Sequence, residues 1–167
     1  MRNPGYIPLT RWHIPEEILG TVHEVSGHTF DIVYDLYLTT DRVIAVLIRH
    51  PGDVASSVSW SSLFIGGWGS RRKEEREFEE IASERHGKSK NMSPDELLAT
   101  NPHNFQISNN DITAIELKKG LSNMYHIKLQ FNVPGKKLRR DFMVHKDHVQ
   151  ETILLLSKAF PAKFKPD

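Results

Sequence analysis

The chain has 167 residues and no cysteine, which excludes disulfides, thiolate metal sites and cysteine nucleophiles. It also has no run of about eighteen apolar residues, so the sequence predicts no helix that spans a membrane. The opening stretch MRNPGYIPLTRW contains two prolines and lacks the apolar centre of a signal peptide. We therefore expect a cytoplasmic protein, with a peripheral position on a membrane as the alternative.

The common signatures of catalysis and nucleotide binding are also missing. There is no GxSxG nucleophile elbow. The glycines of Gly66-Gly67-Trp68-Gly69 are not followed by the Lys-Ser/Thr pair of a phosphate-binding loop. Neighbouring carboxylates occur in the glutamate run at 74–80, which is typical of a solvated helix face. The sequence therefore predicts a protein that is not an enzyme and has no cofactor.

Composition and charge are those of one ordinary globular domain. Hydrophobic residues make up 38% and charged residues 26% of the chain, and the net charge is +1. Residues 104–167 carry eleven Lys and Arg against six Asp and Glu, whereas residues 1–103 carry eleven against fifteen. This modest basic balance favours an acidic partner but does not predict nucleic-acid binding.

The C-terminal part of the chain has the clearest patterns. Met124–Phe131 alternates apolar and polar residues, which indicates a strand with one buried face. Pro134-Gly135 then predicts a turn into a strand that contains Leu138, Phe142 and Val144. A preceding strand contains Ile115 and Leu117, so three antiparallel strands in a meander are expected, with a further short strand at Phe105–Ile107 as a possibility.

An amphipathic helix is predicted after this meander. Asp147 is a candidate N-cap with Gln150 as its capping-box partner. Apolar residues follow at helical spacing, and Pro161 ends the helix. The apolar stripe consists of Val149, Ile153, Leu156 and Phe160. Because the helix is short, we expect it to gain its stability by docking this stripe on the sheet.

In the N-terminal part of the chain, the sequence predicts an extended arm, a first strand and a hairpin. Residues 1–15 have three prolines and are expected to form an extended arm, with the domain spanning 16–167. A first strand is predicted within Glu16–Val25, and a turn at Gly27-His28. The stretch YDLYLTTDRVIAVLI then predicts a hairpin that Pro51-Gly52 ends.

Residues 53–103 are predicted to be an insertion with a helical part. The segment VASSVSWSSLFIGGWGS is apolar and aromatic without a clear period, and RRKEEREFEEIASER favours a helix. The stretch HGKSKN predicts a flexible polar break. Ser93, with Pro94 and Glu96 after it, predicts the start of a short helix that reaches about Thr100.

This order of elements resembles the pleckstrin-homology-like (PH-like) fold. The phrase LYLTTDRVIAVLI looks like the second hairpin of GRAM-type members, and MSPDELLATNPHNFQISNNDITAIELKKG is similar to a run in uncharacterised prokaryotic PH-like proteins. The resemblance implies an α+β, mainly β fold. In it, a curved antiparallel barrel of about seven strands is capped by a C-terminal helix and has a helical insertion between strands 3 and 4. It also implies binding of lipid head groups, peptides or proteins, and no known reaction.

Six cations form the first candidate site. They lie at the end of one predicted strand and around the Pro134-Gly135 turn, and would form one patch if these hairpin ends were adjacent: Lys118, Lys119, Lys136, Lys137, Arg139 and Arg140. Such a patch suits phosphates or an anionic membrane surface. The alternative is a solvated hairpin whose lysines protect a sheet edge.

An aromatic segment followed by cations forms the second candidate site: Trp60, Phe64 and Trp68, then Arg71, Arg72 and Lys73. Aromatic rings beside cations suit the interface of a bilayer. They equally suit a protein-binding or self-association surface. The spacing of four residues between the rings also fits a helical turn packed on the barrel.

Histidines give the weakest candidate site. His145 and His148 would share one metal ion only if a carboxylate such as Asp147 or Asp141 joined them, and the sequence suggests that Asp147 points elsewhere. The other histidines are expected at the surface or in loops. We expect a non-catalytic module that binds a protein partner or an anionic membrane surface. The alternatives are a small metal-dependent hydrolase that uses His145 and His148, or a self-associating structural module, a homo-oligomer.

Overall fold

The computed structural model describes residues 15–27, 32–50, 68–121 and 123–166, and within the helix that starts at Trp68 it describes side chains only from Glu79 onward. A one-turn 3₁₀ helix, Lys146–His148, precedes the last helix. In chain order the elements are β1 (Ile18–Ser26), β2 (Val33–Thr39), β3 (Arg42–Arg49), α1 (Trp68–Ser89), α2 (Pro94–Ala99), β4 (Phe105–Ser108), β5 (Ile112–Lys119), β6 (Met124–Val133), β7 (Lys136–His145), α3 (Val149–Ala159) and β8 (Phe164–Pro166).

The strands of the described residues form one open sheet in the order β4-β3-β2-β1-β7-β6-β5-β8. The predicted curved antiparallel barrel does not close among the described residues, whereas the α+β, mainly β class is confirmed. Closure would require β4 to pair with β5. The outer edge of β5 instead pairs in parallel with β8, a strand that the sequence did not predict. The other strand pairs are antiparallel, as expected.

The main core lies between the inner face of the sheet and α3. The predicted alternation in β6 is confirmed, since Ile127, Leu129 and Phe131 are buried there. The predicted stripe of α3 also faces this core, where Val149 and Leu156 are buried. The expectation that the last helix docks on the sheet is therefore confirmed.

The start of α3 differs from the prediction. The helix begins at Val149 with His148 as its N-cap, and no side chain caps it by a hydrogen bond. Asp147 lies inside the preceding 3₁₀ turn. There its carboxylate is 3.0 Å from Nδ1 of His145. The proposed Asp147–Gln150 capping box is therefore wrong, because the tighter turn directs Asp147 to the histidine.

A second apolar cluster covers the outer face of β2 and β3. It contains Val33, Tyr37, Ile44, Val46, Ile48 and Leu97. Helices α1 and α2 supply its outer layer, which confirms the helical insertion between β3 and β4. Both faces of this hairpin are therefore buried, and for that reason the run of β3 shows no alternation of apolar and polar residues.

The structure tests two predicted helix boundaries in the insertion, the start of α2 and the end of α1. The helix start predicted at Ser93 is confirmed, and the structure adds a capping box in which Ser93 and Glu96 exchange side-chain and backbone hydrogen bonds. The break predicted at HGKSKN is wrong in its position, because α1 continues to Ser89. Packing of its last turn on β2 compensates for the poor helix propensity of Gly87.

None of the helices in the described residues has the length and apolar content that crossing a membrane requires. Three predictions lie wholly or mainly outside the described residues. They concern the N-terminal arm, the residues that follow Gly27 in the first turn, and the aromatic segment up to Gly67.

Candidate functional site

The six predicted cations do not form one patch. Lys118 and Lys119 of β5 lie opposite His126 and Tyr125 at the start of β6. Lys136 and Lys137 of β7 lie opposite Val133 and Asn132 at its end. With a rise of about 3.3 Å per residue, the two pairs are roughly 20 to 25 Å apart. The adjacency that the candidate patch required is therefore absent.

The two groups of cations also differ in their surroundings. Nζ of Lys118 is 3.0 Å from Oε2 of Glu116, so this charge is paired within its own strand. Lys136–Arg140 is exposed at every position. The cations of β7 are therefore the part of the predicted site that is best placed to meet a ligand.

Along most of one side, the backbone of strand β7 has no partner strand among the described residues. It pairs with β6 along its whole length, from Lys136↔Val133 to His145↔Met124. On its other side, among the described residues, only Met143 pairs with β1, through Ser26. We call the stretch Lys136–Phe142 the β7 edge. It carries four of the six predicted cations.

A cleft of about 500 Å³ lies beside the β7 edge. Aromatic rings form its wall: Tyr34 meets Phe105 edge-on at 5.6 Å, and Phe105 stacks on Phe142 at 6.3 Å between ring centres. Burial raises the pKa of the Tyr34 phenol, which keeps this group a neutral hydrogen-bond donor. The cleft therefore combines an apolar wall with polar groups at its mouth.

The two arginines of the β7 edge are held differently. The guanidinium of Arg140 lies 4.9 Å above the ring of Phe105, a cation–π contact inside the cleft. Arg139 lies on the opposite face of the strand, where its Nη2 is 3.3 Å from Oδ2 of Asp141. Oδ1 of Asp141 is also 3.1 Å from Nδ1 of His126. Both arginines line the cleft, and Arg140 is the one that packs on its aromatic wall.

The structure also groups three residues that the sequence analysis did not single out. Oδ2 of Asp35 is 3.0 Å from Nδ1 of His23 and 3.0 Å from Nε2 of His86. We call these residues the histidine–aspartate cluster. The hydrogen bond to Asp35 holds the pKa of His23 above its ordinary value, against the opposing effect of burial.

A sequence signal for this cluster did exist. Asp35 interrupts the otherwise apolar and aromatic face that Val33 and Tyr37 share on β2, and this face proves to be buried. A carboxylate on a buried face needs partners. His23 does lie at the surface as predicted, with 53% of its side chain exposed. The prediction that these histidines are scattered is wrong for His23 and His86, because both contact Asp35.

The predicted metal candidates His145 and His148 are not members of this cluster. Among the described residues, the group of three that brings its ligand atoms within 4.8 Å of one another is His23, Asp35 and His86. His145 instead contacts Asp147. His148 lies at the start of α3 and lines a second cleft, next to the cluster.

The remaining predicted site residues lie where no side chain is described. Trp60 and Phe64 fall outside the described residues. Trp68 begins α1, and the cations that follow it are within that helix, but their side chains are not described. These cations are Arg71, Arg72 and Lys73.

Comparison with known families finds no family model that matches the chain, and comparison with curated proteins finds no match. We therefore infer function from the chemistry of the β7 edge and of the histidine–aspartate cluster.

Proposed function

We propose that this protein is a non-catalytic, PH-like binding module that takes up an extended acidic segment of a protein partner along the β7 edge. The observation that carries the proposal is the unpaired side of β7. Seven consecutive residues, Lys136–Phe142, pair with β6 but have no partner strand among the described residues on their other side. The strand order and the closing helix are compatible with the PH-like resemblance.

An unpaired strand edge binds peptides through its backbone. An extended segment that aligns with β7 gains main-chain hydrogen bonds as an added strand, a recurrent mode of peptide recognition. Alternate side chains of such a segment point to opposite faces of the sheet. One set would then face Arg140 and the aromatic wall of the cleft, and the other would face Lys137 and Arg139.

Charge favours an acidic partner. The β7 edge carries Lys136, Lys137, Arg139 and Arg140 against one acid, Asp141. Complementary charge accelerates association and suppresses binding of basic segments. The cation–π contact of Arg140 with Phe105 keeps the guanidinium oriented. Its N–H groups have no hydrogen-bond partner among the described residues and can donate to a carboxylate.

The test uses an alternating glutamate–valine peptide, labelled with a fluorophore, and measures binding by fluorescence anisotropy. We expect saturable binding that Lys137→Glu/Arg140→Glu abolishes. The matched control is Lys118→Glu/Lys119→Glu, which makes the same charge change at the far end of β6 and should bind like the unmodified protein. A lysine–valine peptide should not bind.

Three outcomes would overturn the proposal. Equal loss of binding in both double variants would show a non-specific charge effect. Co-sedimentation with phosphatidylserine vesicles, without peptide binding, would assign the cations to an anionic membrane surface instead. Binding to neither probe, together with dimers in sedimentation experiments, would favour self-association through the same edge.

A further inference from the structure

Asp35 is a carboxylate without access to solvent. Its relative exposure is 0%, in the middle of β2 under helix α1. Removing an ionised carboxylate from water is strongly unfavourable unless it is paired with charge or coordinates a metal ion. Oδ1 accepts a hydrogen bond from the backbone N–H of Glu24 at 2.9 Å. Oδ2 is left to the two histidines of the cluster.

A β-bulge places His23 beside this carboxylate. The pairing of β1 with β2 shifts register between Val22 and Val25, and both valines are buried in the main core. The two residues between them, His23 and Glu24, are therefore both on the outer side. Glu24, the second residue of this bulge, has φ of 53°, in the left-handed region that non-glycine residues rarely adopt. Residues held in this conformation are concentrated at functional sites.

Helix α1 brings the second histidine from the opposite direction. Ala82, His86 and Ser89 are spaced by four and three residues, so they share the face that packs on the sheet. Tyr37 donates to Oγ of Ser89, and Ser89 donates to the carbonyl of His86 at 3.1 Å. These bonds fix the last turn of α1, where the ring of His86 meets the ring of His23 edge-on at 5.5 Å.

The contact between His86 and Asp35 does not have hydrogen-bond geometry. Nε2 of His86 is buried and has no hydrogen-bond partner in the described part of the chain, although it is 3.0 Å from Oδ2 of Asp35. Its in-plane lone pair or proton therefore does not point at that oxygen. A buried polar atom without a partner costs about 1 to 3 kcal/mol. A bound atom or ion between the two rings and the carboxylate would give Nε2 of His86 a partner.

The spacing of the three atoms suits a transition-metal ion. Ligand atoms about 2.0 to 2.1 Å from a tetrahedral zinc ion are about 3.3 Å from each other. The two N–O distances in the cluster are 3.0 Å. All three ligand atoms lie within 4.8 Å of one another, so rotation of the two rings would bring them to the spacing that the ion requires.

We propose that His23, Asp35 and His86 bind a divalent transition-metal ion of the zinc type, with a coordination position open to the neighbouring cleft. Two imidazole nitrogens and one carboxylate oxygen favour zinc over calcium or magnesium, which prefer oxygen ligands. Three protein ligands leave a fourth position for water or another molecule. The cleft next to the cluster has a volume of about 650 Å³, and Lys90 and His148 line it with the three ligands.

The test starts from protein freed of metal by a chelator and measures zinc binding by calorimetry and the melting temperature with and without zinc. We expect one zinc ion per chain and a higher melting temperature in its presence. His86→Gln should weaken zinc binding at least 10-fold, and His23→Gln likewise, because each removes one of three ligands. Cobalt provides a second readout, since its visible absorption intensifies in a tetrahedral site and should be lost in both variants.

The matched control is His145→Gln, which removes a histidine that also contacts an aspartate but lies outside the cluster. It should leave zinc binding unchanged. Circular dichroism establishes that each variant is folded, and His23 is an informative position because its side chain is 53% exposed. The proposal is overturned if zinc changes neither heat nor melting temperature, or if His145→Gln weakens binding as much as His86→Gln. The cluster would then be a hydrogen-bonded ion pair only.

Discussion

Tyr37 donates a hydrogen bond from its hydroxyl group to Oγ of Ser89 at 2.9 Å, and this bond joins β2 to the last turn of α1. Both residues are buried. Tyr37→Phe keeps the ring in the outer apolar cluster and removes this bond. We expect a loss of about 1 kcal/mol in the free energy of unfolding, the usual contribution of such a bond. Urea denaturation measures this loss.

The control for this prediction is Tyr125→Phe on β6. The hydroxyl of Tyr125 donates to no described residue, so the unfolding midpoint of this variant should stay near that of the unmodified protein. If both variants lost the same stability, the bond between Tyr37 and Ser89 would contribute nothing specific.

Gly20 allows α3 to lie close to β1. A Cβ atom at this position would be 2.4 Å from Cδ2 of Leu155, far inside contact distance. Gly20→Ala should therefore displace the end of the Leu155 side chain and lower the unfolding free energy by about 1 kcal/mol, the low end of the usual effect of overpacking, and Gly20→Val by more. Thermal unfolding followed by circular dichroism provides the measurement.

Gly87 supplies the contrasting substitution within α1. A Cβ atom there would have no neighbour within 4 Å. Gly87→Ala should raise the unfolding free energy by about 0.5 to 1 kcal/mol, because alanine has the higher helix propensity. If Gly87→Ala were destabilising and Gly20→Ala neutral, the close contact at Gly20 and the open surroundings of Gly87 would both be contradicted.

Arg42 connects four separate parts of the chain. Its Nε and Nη2 atoms bind the two carboxylate oxygens of Glu16 at 3.0 and 2.7 Å. Nη2 is also 2.5 Å from Oδ1 of Asp95, and Nη1 binds the side chain of Gln106. The side chain of Arg42 is only 17% exposed. Arg42→Ala should therefore cost about 3 kcal/mol, because it leaves a partly buried carboxylate without its partner.

Two further variants test this assignment by denaturation. Arg42→Lys should lose part of the same stability, because an ammonium group cannot bind both oxygens of Glu16 in parallel. Arg139→Ala removes a cation that is 58% exposed and should cost less than about 1 kcal/mol. Equal costs for Arg42→Ala and Arg139→Ala would rule out a special role for the Arg42 network.

The N-terminus of α2 predicts a pH effect. Hydrogen bonds from the backbone N–H and hydroxyl of Ser93 hold the pKa of Glu96 below its ordinary value of 4.5. A lowered pKa contributes stability that is fully present above the ordinary value and is lost as the pH falls through the lowered one. Glu96→Gln should therefore be less stable than the unmodified protein at pH 7, and the difference should shrink below about pH 4.5.

Melting curves at neutral and acidic pH measure this difference. Ser93→Ala removes the cap itself and should cost about 1 kcal/mol at neutral pH. In the Ser93→Ala background, Glu96→Gln should lose most of its pH-dependent effect. A difference that grew on acidification would have the wrong sign for a lowered pKa.

Local patterns predicted several elements correctly because the interactions that form them are close in sequence. The alternation in Met124–Phe131 determines a strand with one buried face, and the stripe from Val149 to Phe160 determines a helix with one apolar side. Ser93 and Glu96 form their capping box across three residues. Such patterns show whether a segment is a strand or a helix and where that element begins or ends, because both depend on residues that are close in sequence.

Local patterns did not predict which residues meet. His23 and Asp35 are twelve positions apart, and His86 comes from the inserted helix. Likewise Lys118 and Lys136 border the same strand, β6, yet lie near its opposite ends. Which ends are adjacent depends on strand register and direction, and these are set by pairing over the whole sheet.

The sequence by itself determined the mainly β class, the helix that closes the core, and the basic character of β7. Only the tertiary structure decided that the described strands form an open sheet, that one edge of β7 has no partner strand among the described residues, and that two histidines meet one buried carboxylate. The physical reason is the range of the interactions. Periodicity and capping act within a few residues, whereas pairing, bulges and helix docking bring together residues that the sequence keeps far apart.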